Sequence, residues 1–189
     1  PPGGTFYYFG DIAVSPGRLY MIQPPTCGAR VYTRLETDDD WSHLPQYTPR
    51  NDGATLSFVD ERQGWLAGNY GVLMRTRDGG QSWEKLEFPQ NATLAELYFA
   101  SSEKGWIRPL RGHEGGLWKT DDGGLSWSCA SLDIPSYWTL VDMQFFDAQS
   151  GVVLVDRGAD GSRILQTRDG GQSWSLRADL PPDIRALCF

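Results

Sequence analysis

A chain of 189 residues is long enough for one sizeable core, and 40% hydrophobic against 22% charged residues excludes a disordered chain. The net charge of -7 argues against nucleic acid or anionic lipid as the main partner, because both need a basic surface. No apolar run approaches the ~18 residues of a membrane span, so no membrane insertion is expected. Cys27, Cys129 and Cys188 are odd in number and far apart, which is neither a disulfide framework nor a zinc pair; their disulfide state stays open. The start at Pro1-Pro2-Gly3-Gly4 has no Met and reads as a processed or shortened N-terminus.

Twenty-two Gly and twelve Pro fall at regular intervals between short β-type runs. In chain order the runs are Asp11–Ser15, Arg18–Gln23, Arg30–Arg34 and Trp41–Leu44, then Thr55–Asp60, Gly64–Asn69, Val72–Arg77 and Ser82–Phe88. Leu94–Ser101, Gly105–Arg111, Leu117–Thr120 and Ser126–Leu132 follow, and then Leu140–Asp147, Gly151–Arg157, Arg163–Thr167 and Ser173–Leu180. Alternating pairs such as Leu56/Phe58 and Met143/Phe145 suit sheets packed by neighbouring sheets, and no helix-period stretch with caps is found.

The runs belong to a repeat. Thr76-Arg77-Asp78-Gly79-Gly80-Gln81-Ser82-Trp83 recurs as residues 120–127, with Asp122, Gly123 and Trp127, and as residues 167–174, with Asp169, Gly170 and Trp174. A worn copy leads from Val31 to Trp41, with Glu36 at the Asp position, so the tryptophans lie 42 to 47 residues apart. That period is the size of one four-stranded blade. The predicted fold is all-β: a β-propeller of four-stranded antiparallel blades, near residues 10–45, 55–88, 94–132 and 140–180. Each box is expected to close the hairpin between third and fourth strands. The Asp accepts turn N–H groups, the Gly pair supplies positive φ, the Ser hydroxyl closes the loop, and the Trp covers the hairpin base. Residues 183–189 read as the first strand of a further blade, since they match Leu140–Phe146 in position after a Pro. The expectation is a chain continuing past Phe189 or two chains completing one ring; the rival is a small closed propeller whose terminal strands share a blade.

These boxes resemble the Asp-box (BNR) repeat of sialidases, xyloglucan-degrading glycosidases, sortilin-type receptors and photosystem II assembly factors. The longer unit from Phe58-Val59-Asp60-Glu61-Arg62-Gln63-Gly64-Trp65 to Thr76 is similar to the photosystem II stability/assembly factor-like family. The resemblance covers residues 55–180 well and 10–45 weakly. It implies a non-catalytic scaffold that holds another protein during assembly, commonly on seven blades, without a cofactor. It also implies an extracytoplasmic location.

Fold-level analogy places propeller ligands on the face that carries the second-to-third-strand loops and the blade connections. That selects Tyr47 and Arg50, Asn69 and Tyr70, Arg111, His113 and Glu114, Tyr137 and Trp138, and Arg157 with Asp160. Tyr137-Trp138 is a contact anchor beside polar groups, or else Trp138 merely covers a blade junction. Arg75, Arg77, Arg163 and Arg168 recur beside the boxes, as a basic stripe for an acidic partner or as a solvated face. The box carboxylates read as structural rather than catalytic. His43 and His113 have no second ligand cluster, so no metal is expected. Asn91-Ala92-Thr93 satisfies a glycosylation pattern that chance also produces.

A carbohydrate partner and a glycoside hydrolase of sialidase or xyloglucanase type form the alternative. For a sialidase, Trp106-Ile107-Arg108-Pro109 has the wrong order. For a xyloglucanase, Asp147, Asp156 and Asp160 lie near strand ends but do not pair.

Overall fold

The computed structural model describes residues 11–15, 17–23, 30–44, 54–110, 116–135, 137–182, 184, 186 and 187. Among the described residues, sixteen strands form four four-stranded antiparallel meanders, each ordered as in the sequence. Blade 1 holds β1 (Asp11–Ser15), β2 (Arg18–Gln23), β3 (Arg30–Leu35) and β4 (Ser42–His43); blade 2 holds β5 (Ala54–Phe58), β6 (Gly64–Gly68), β7 (Leu73–Thr76) and β8 (Glu84–Leu86). Blade 3 holds β9 (Leu94–Phe99), β10 (Gly105–Pro109), β11 (Trp118–Thr120) and β12 (Ser128–Cys129). Blade 4 holds β13 (Thr139–Phe145), β14 (Gly151–Asp156), β15 (Ser162–Thr167) and β16 (Ser175–Leu180). The first strands β1, β5 and β9 neighbour one another, and β13 meets β9, so the blades stack in chain order.

The core lies between blades rather than within one. Tyr20, Ile22, Leu56, Phe58, Leu66 and Met74 fill the first junction. Trp65, Ala67, Leu73, Leu97, Phe99 and Ile107 fill the second. Trp106, Met143, Phe145, Val153, Val155 and Leu165 belong to the third. A second strand is therefore covered on both sides, which is why Gly64–Gly68 is buried throughout, without alternation. Fourth strands, at the rim, are shorter than their sequence pattern: Ser126–Leu132 contracts to Ser128–Cys129, both exposed.

One aromatic device recurs at each junction. Tyr20 stacks on Phe58 at 3.6 Å, Trp65 on Phe99 at 3.6 Å, and Trp106 on Phe145 at 3.8 Å. The box tryptophan of the later blade stands edge-on to the same Phe: Trp83 at 6.3 Å, and Trp127 and Trp174 at 6.2 Å. The earlier blade also reaches across with a hydrogen bond. The Trp65 and Trp106 indole N–H groups donate to the Gly123 and Gly170 carbonyls at 3.0 and 3.3 Å, and the Tyr20 hydroxyl donates to the Glu61 carbonyl at 3.1 Å. Each junction thus joins dispersion, edge-to-face contact and one polar clasp.

The three boxes carry one bonding scheme. In the third blade, Asp122 Oδ1 accepts the Thr120 hydroxyl at 2.7 Å and the Ser126 N–H at 2.9 Å, while Thr120 Oγ1 accepts the Gly124 N–H at 2.9 Å. Gly123 (φ 73) lies 2.6 Å, by its absent Cβ, from the Ser102 carbonyl, so a side chain there meets both strain and backbone. Asp78 and Asp169 repeat these bonds with Thr76 and Ser82, and with Thr167 and Ser173. Trp127 donates its indole N–H to the Gly124 carbonyl at 3.1 Å, whereas the Trp174 indole nitrogen has no partner among the described residues. In blade 1, Trp41 is exposed and the Arg34 guanidinium lies 5.3 Å from its ring.

The box carboxylates are held acidic. Ser82 hydroxyl and N–H bonds bring Asp78 down to about 2; at Asp122 the opposing effect of burial is outweighed by bonds from Ser126 and Thr120, again to about 2. Their unfolded values lie near ~3.9, so their stabilisation is complete above about pH 4 and lost as pH falls toward 2. Thermal melts are expected to fall steeply over that window, and less steeply in an Asp78→Asn/Asp122→Asn variant. An equal slope in both would remove the boxes from the acid transition.

The basic stripe does not form. Arg75 is only 6% exposed, with Nη2 bonded to Glu84 Oε2 at 2.9 Å and Nη1 directed at the Gly123 carbonyl of the next blade. Arg163 lies at the opposite end of its strand from the box. Arg77 and Arg168 are the two exposed members beside the boxes.

Candidate functional site

Antiparallel meanders sort the loops by face. First-to-second-strand turns and box hairpins share one face. Second-to-third-strand loops and blade connections share the other, the loop face.

On blade 2 that face carries a 3-10 turn, Asn69–Gly71, with Tyr70 left-handed (φ 58) and 71% exposed. The Gly71 N–H donates to the Ala92 carbonyl at 2.7 Å and fixes the turn against the blade connection. A Cβ on Gly71 would lie 2.4 Å from the Gln90 carbonyl, so the chain approaches closely there. A non-glycine in this conformation costs about 1–3 kcal/mol, and here it holds a tyrosine out in solvent.

Blade 4 gathers more groups. Tyr137 is 77% exposed and meets Trp138 edge-on at 6.4 Å. The Trp138 N–H donates to the Pro135 carbonyl at 3.0 Å, and its side chain packs on the core cluster that includes Met143 and Phe145. The Arg157 and Arg163 guanidiniums lie 5.6 and 5.1 Å from the Trp138 ring centre. Asp179 joins them, accepting from Arg163 Nε at 2.7 Å and lying 3.4 Å from Arg157 Nη2. The Arg163 hydrogen bond and both cations hold the Asp179 carboxyl below its ordinary value. Arg157, Arg163 and Asp179 with the indole form a charged, aromatic ledge beside the projecting Tyr137.

Of the residues expected from sequence, Tyr137, Trp138 and Arg157 come together. Tyr70 shares their face on blade 2, and Asp160 is exposed in the 3-10 turn Gly158–Asp160. Tyr47, Arg50, Arg111, His113 and Glu114 lie outside the described residues. Trp138 packs on the junction core and also carries both arginines over its ring. Arg163 and Asp179 were missed as members of this face. Their signal was strand direction, since β15 begins and β16 ends on the loop side.

Of the acids weighed for hydrolysis, Asp147 lies apart from Asp156 and Asp160. Asp147 Oδ1 accepts the Gln149 and Ser150 N–H groups in a turn on the box face. Asp156 Oδ1 accepts the Gly158 N–H at 2.8 Å on the loop face.

Four-stranded blades stacked through repeated junctions, with Asp-box hairpins on one face and the blade connections on the other, define an Asp-box β-propeller. Residues 35–134 match the family described as Photosynthesis system II assembly factor YCF48, and the chain belongs to that family. Photosystem II assembly lipoprotein Ycf48 of Synechococcus sp. (strain CC9902) is 33% identical over 103 residues, which are 52% of this chain and 31% of the relative. The match thus spans about a third of that relative's length. Among solved structures, YCF48 from Cyanidioschyzon merolae superposes with a TM-score of 0.68 at 16% identity, covering 100% of this chain and 62% of that one. The GH74 xyloglucanase from Xanthomonas campestris superposes with a TM-score of 0.70 at 17% identity, covering 96% and 32%. At these identities both structural likenesses are likenesses of fold.

Proposed function

We propose that this chain is a non-catalytic propeller that holds a protein partner during photosystem II assembly, by its loop face and in an extracytoplasmic compartment. Membership of the Ycf48 family supports the assembly role, and a relative named as a lipoprotein supports the location. The observation that carries the choice of face is the blade 4 ledge: a projecting Tyr137 beside a Trp138 that two arginines cap. Large aromatics and arginines are the residues that dominate protein interfaces, and an aromatic already held by its neighbours loses little freedom on binding. The fold likeness to a xyloglucanase does not favour hydrolysis, because Asp147 lies on the opposite face from Asp156 and each carboxylate accepts turn N–H groups.

Binding of the chain to detergent-solubilised photosystem II assembly intermediates tests this. Tyr137→Ala and Arg157→Glu are expected to weaken capture at least ~10-fold, while Arg77→Ala and Arg168→Ala on the box face leave it unchanged. Unaltered capture by folded Tyr137→Ala and Arg157→Glu proteins, or cleavage of xyloglucan by the wild type, contradicts the proposal.

A further inference from the structure

Glu96 stands on β9 and reaches across the junction of blades 3 and 4. Its Oε2 accepts the Met143 N–H of β13 at 3.0 Å, and its Oε1 is bonded to Arg108 Nη2 of β10. Arg108 is buried, with Nη1 directed at the Leu140 carbonyl, again on β13. The Met143 N–H also meets Asp142 Oδ1 at 2.8 Å, so two carboxylates crowd one donor. Asp142 Oδ2 accepts the Leu187 N–H at 2.6 Å.

Charge does not balance there. Among the described residues, Arg108 is the one cation facing these carboxylates. β5 and β6, packed on β9, carry no ionisable side chain, and the Asn69–Gly71 turn brings Tyr70, which projects into solvent. Asp156 of β14 is turned to the Gly158 N–H. Two negative charges thus face one positive charge, and like charges on one donor disfavour double ionisation. Burial, joined by the Asp142 charge, outweighs the Arg108 bond and pushes the Glu96 carboxyl above its ordinary value. The other junctions differ. At the second, a neutral hydroxyl, Ser57 Oγ, accepts the Phe99 N–H at 2.8 Å. At the first, Asp11 Oδ2 accepts the Thr55 hydroxyl and the Leu56 N–H at 2.7 and 2.8 Å, and no second carboxylate shares those donors among the described residues.

We propose that Glu96 is a proton-operated clasp. On mild acidification it takes up one proton from solvent, which leaves one anion facing one cation and seats blade 4 more firmly on blade 3. The neutral carboxyl keeps a carbonyl oxygen for the Met143 N–H. Met143 packs with Trp138 in one cluster, so the blade that is seated is the one that carries the ledge. The clasp is independent of partner binding on the loop face. Its sign is opposite to that of the boxes. A carboxyl raised in the folded chain gives stability that is complete below its unfolded value, near ~4.3, and lost as pH rises through the raised value.

Thermal melts from about pH 4.5 to about pH 8 and a carboxyl-carbon NMR titration test it. The wild-type midpoint temperature is expected to fall by a few degrees as pH rises over that range. In Glu96→Gln, whose amide imitates the protonated form, it should fall less. His43 and His113 titrate in the same range in both chains, so the difference between the chains is the readout. By NMR, wild-type Glu96 should titrate above the ordinary glutamate value, and nearer to it in Asp142→Asn. A wild-type Glu96 midpoint at or below the ordinary value, or one pH slope shared by wild type and Glu96→Gln, would overturn it.

Discussion

Trp65→Ala is expected to lower the thermal midpoint by on the order of 10 °C, because truncating a buried aromatic costs about 3–5 kcal/mol and each kcal/mol shifts a domain of this size by about 2–4 °C. Trp65 is fully buried, stacks on Phe99 at 3.6 Å and donates to the Gly123 carbonyl at 3.0 Å. One truncation thus opens the junction between blades 2 and 3 and releases the box of blade 3 from its clasp. Trp65→Phe separates the contributions. It keeps a ring against Phe99 and removes the N–H, so about 1–2 kcal/mol should be lost. Equal losses in the two variants would show that the hydrogen bond, not the stack, holds the junction.

Gly105→Ala should be clearly destabilising, although it adds one methyl. The new Cβ would lie 2.6 Å from the Phe99 ring, and that ring is backed by Trp65 at 3.6 Å, so it cannot retreat. Overpacking of this kind costs about 1–3 kcal/mol. Chemical denaturation should show the loss, and Phe99→Leu in the same chain should recover part of it by vacating the space. If the double variant loses the sum of the single effects, the clash is not with Phe99. Gly151 stands in the same relation to Phe145, at 2.5 Å, with Trp106 behind it at 3.8 Å.

The sequence was most legible where the physics is local. Asp122, Gly123, Gly124 and Ser126 bond within one turn, so their spacing survives in every sound copy and exposes the blade period. What joins blades was not legible as such, because Trp65 and Phe99 meet across 34 residues. A trace was present: Phe58, Phe99 and Phe145 each stand six residues before a glycine on which the ring lies. Arg75 was misread for the same reason, since its burial depends on the next blade. Arg163 was grouped with a box only four residues away, but a strand advances about 3.3 Å per residue and carries it to the loop face. The ledge was half legible. Topology placed Tyr137, Trp138 and Arg157 on one face, while the capping by Arg163 and Asp179 needed the register of β14, β15 and β16.

The central claim is that a protein partner is held by the loop face of the blades. Hydrogen exchange of the chain, alone and with photosystem II assembly intermediates, tests it most directly. Protection is predicted in the turn around Tyr70, in the connection through Tyr137 and Trp138, and where β15 begins. Protection confined to the box hairpins, or none in any loop under saturating partner, would contradict it.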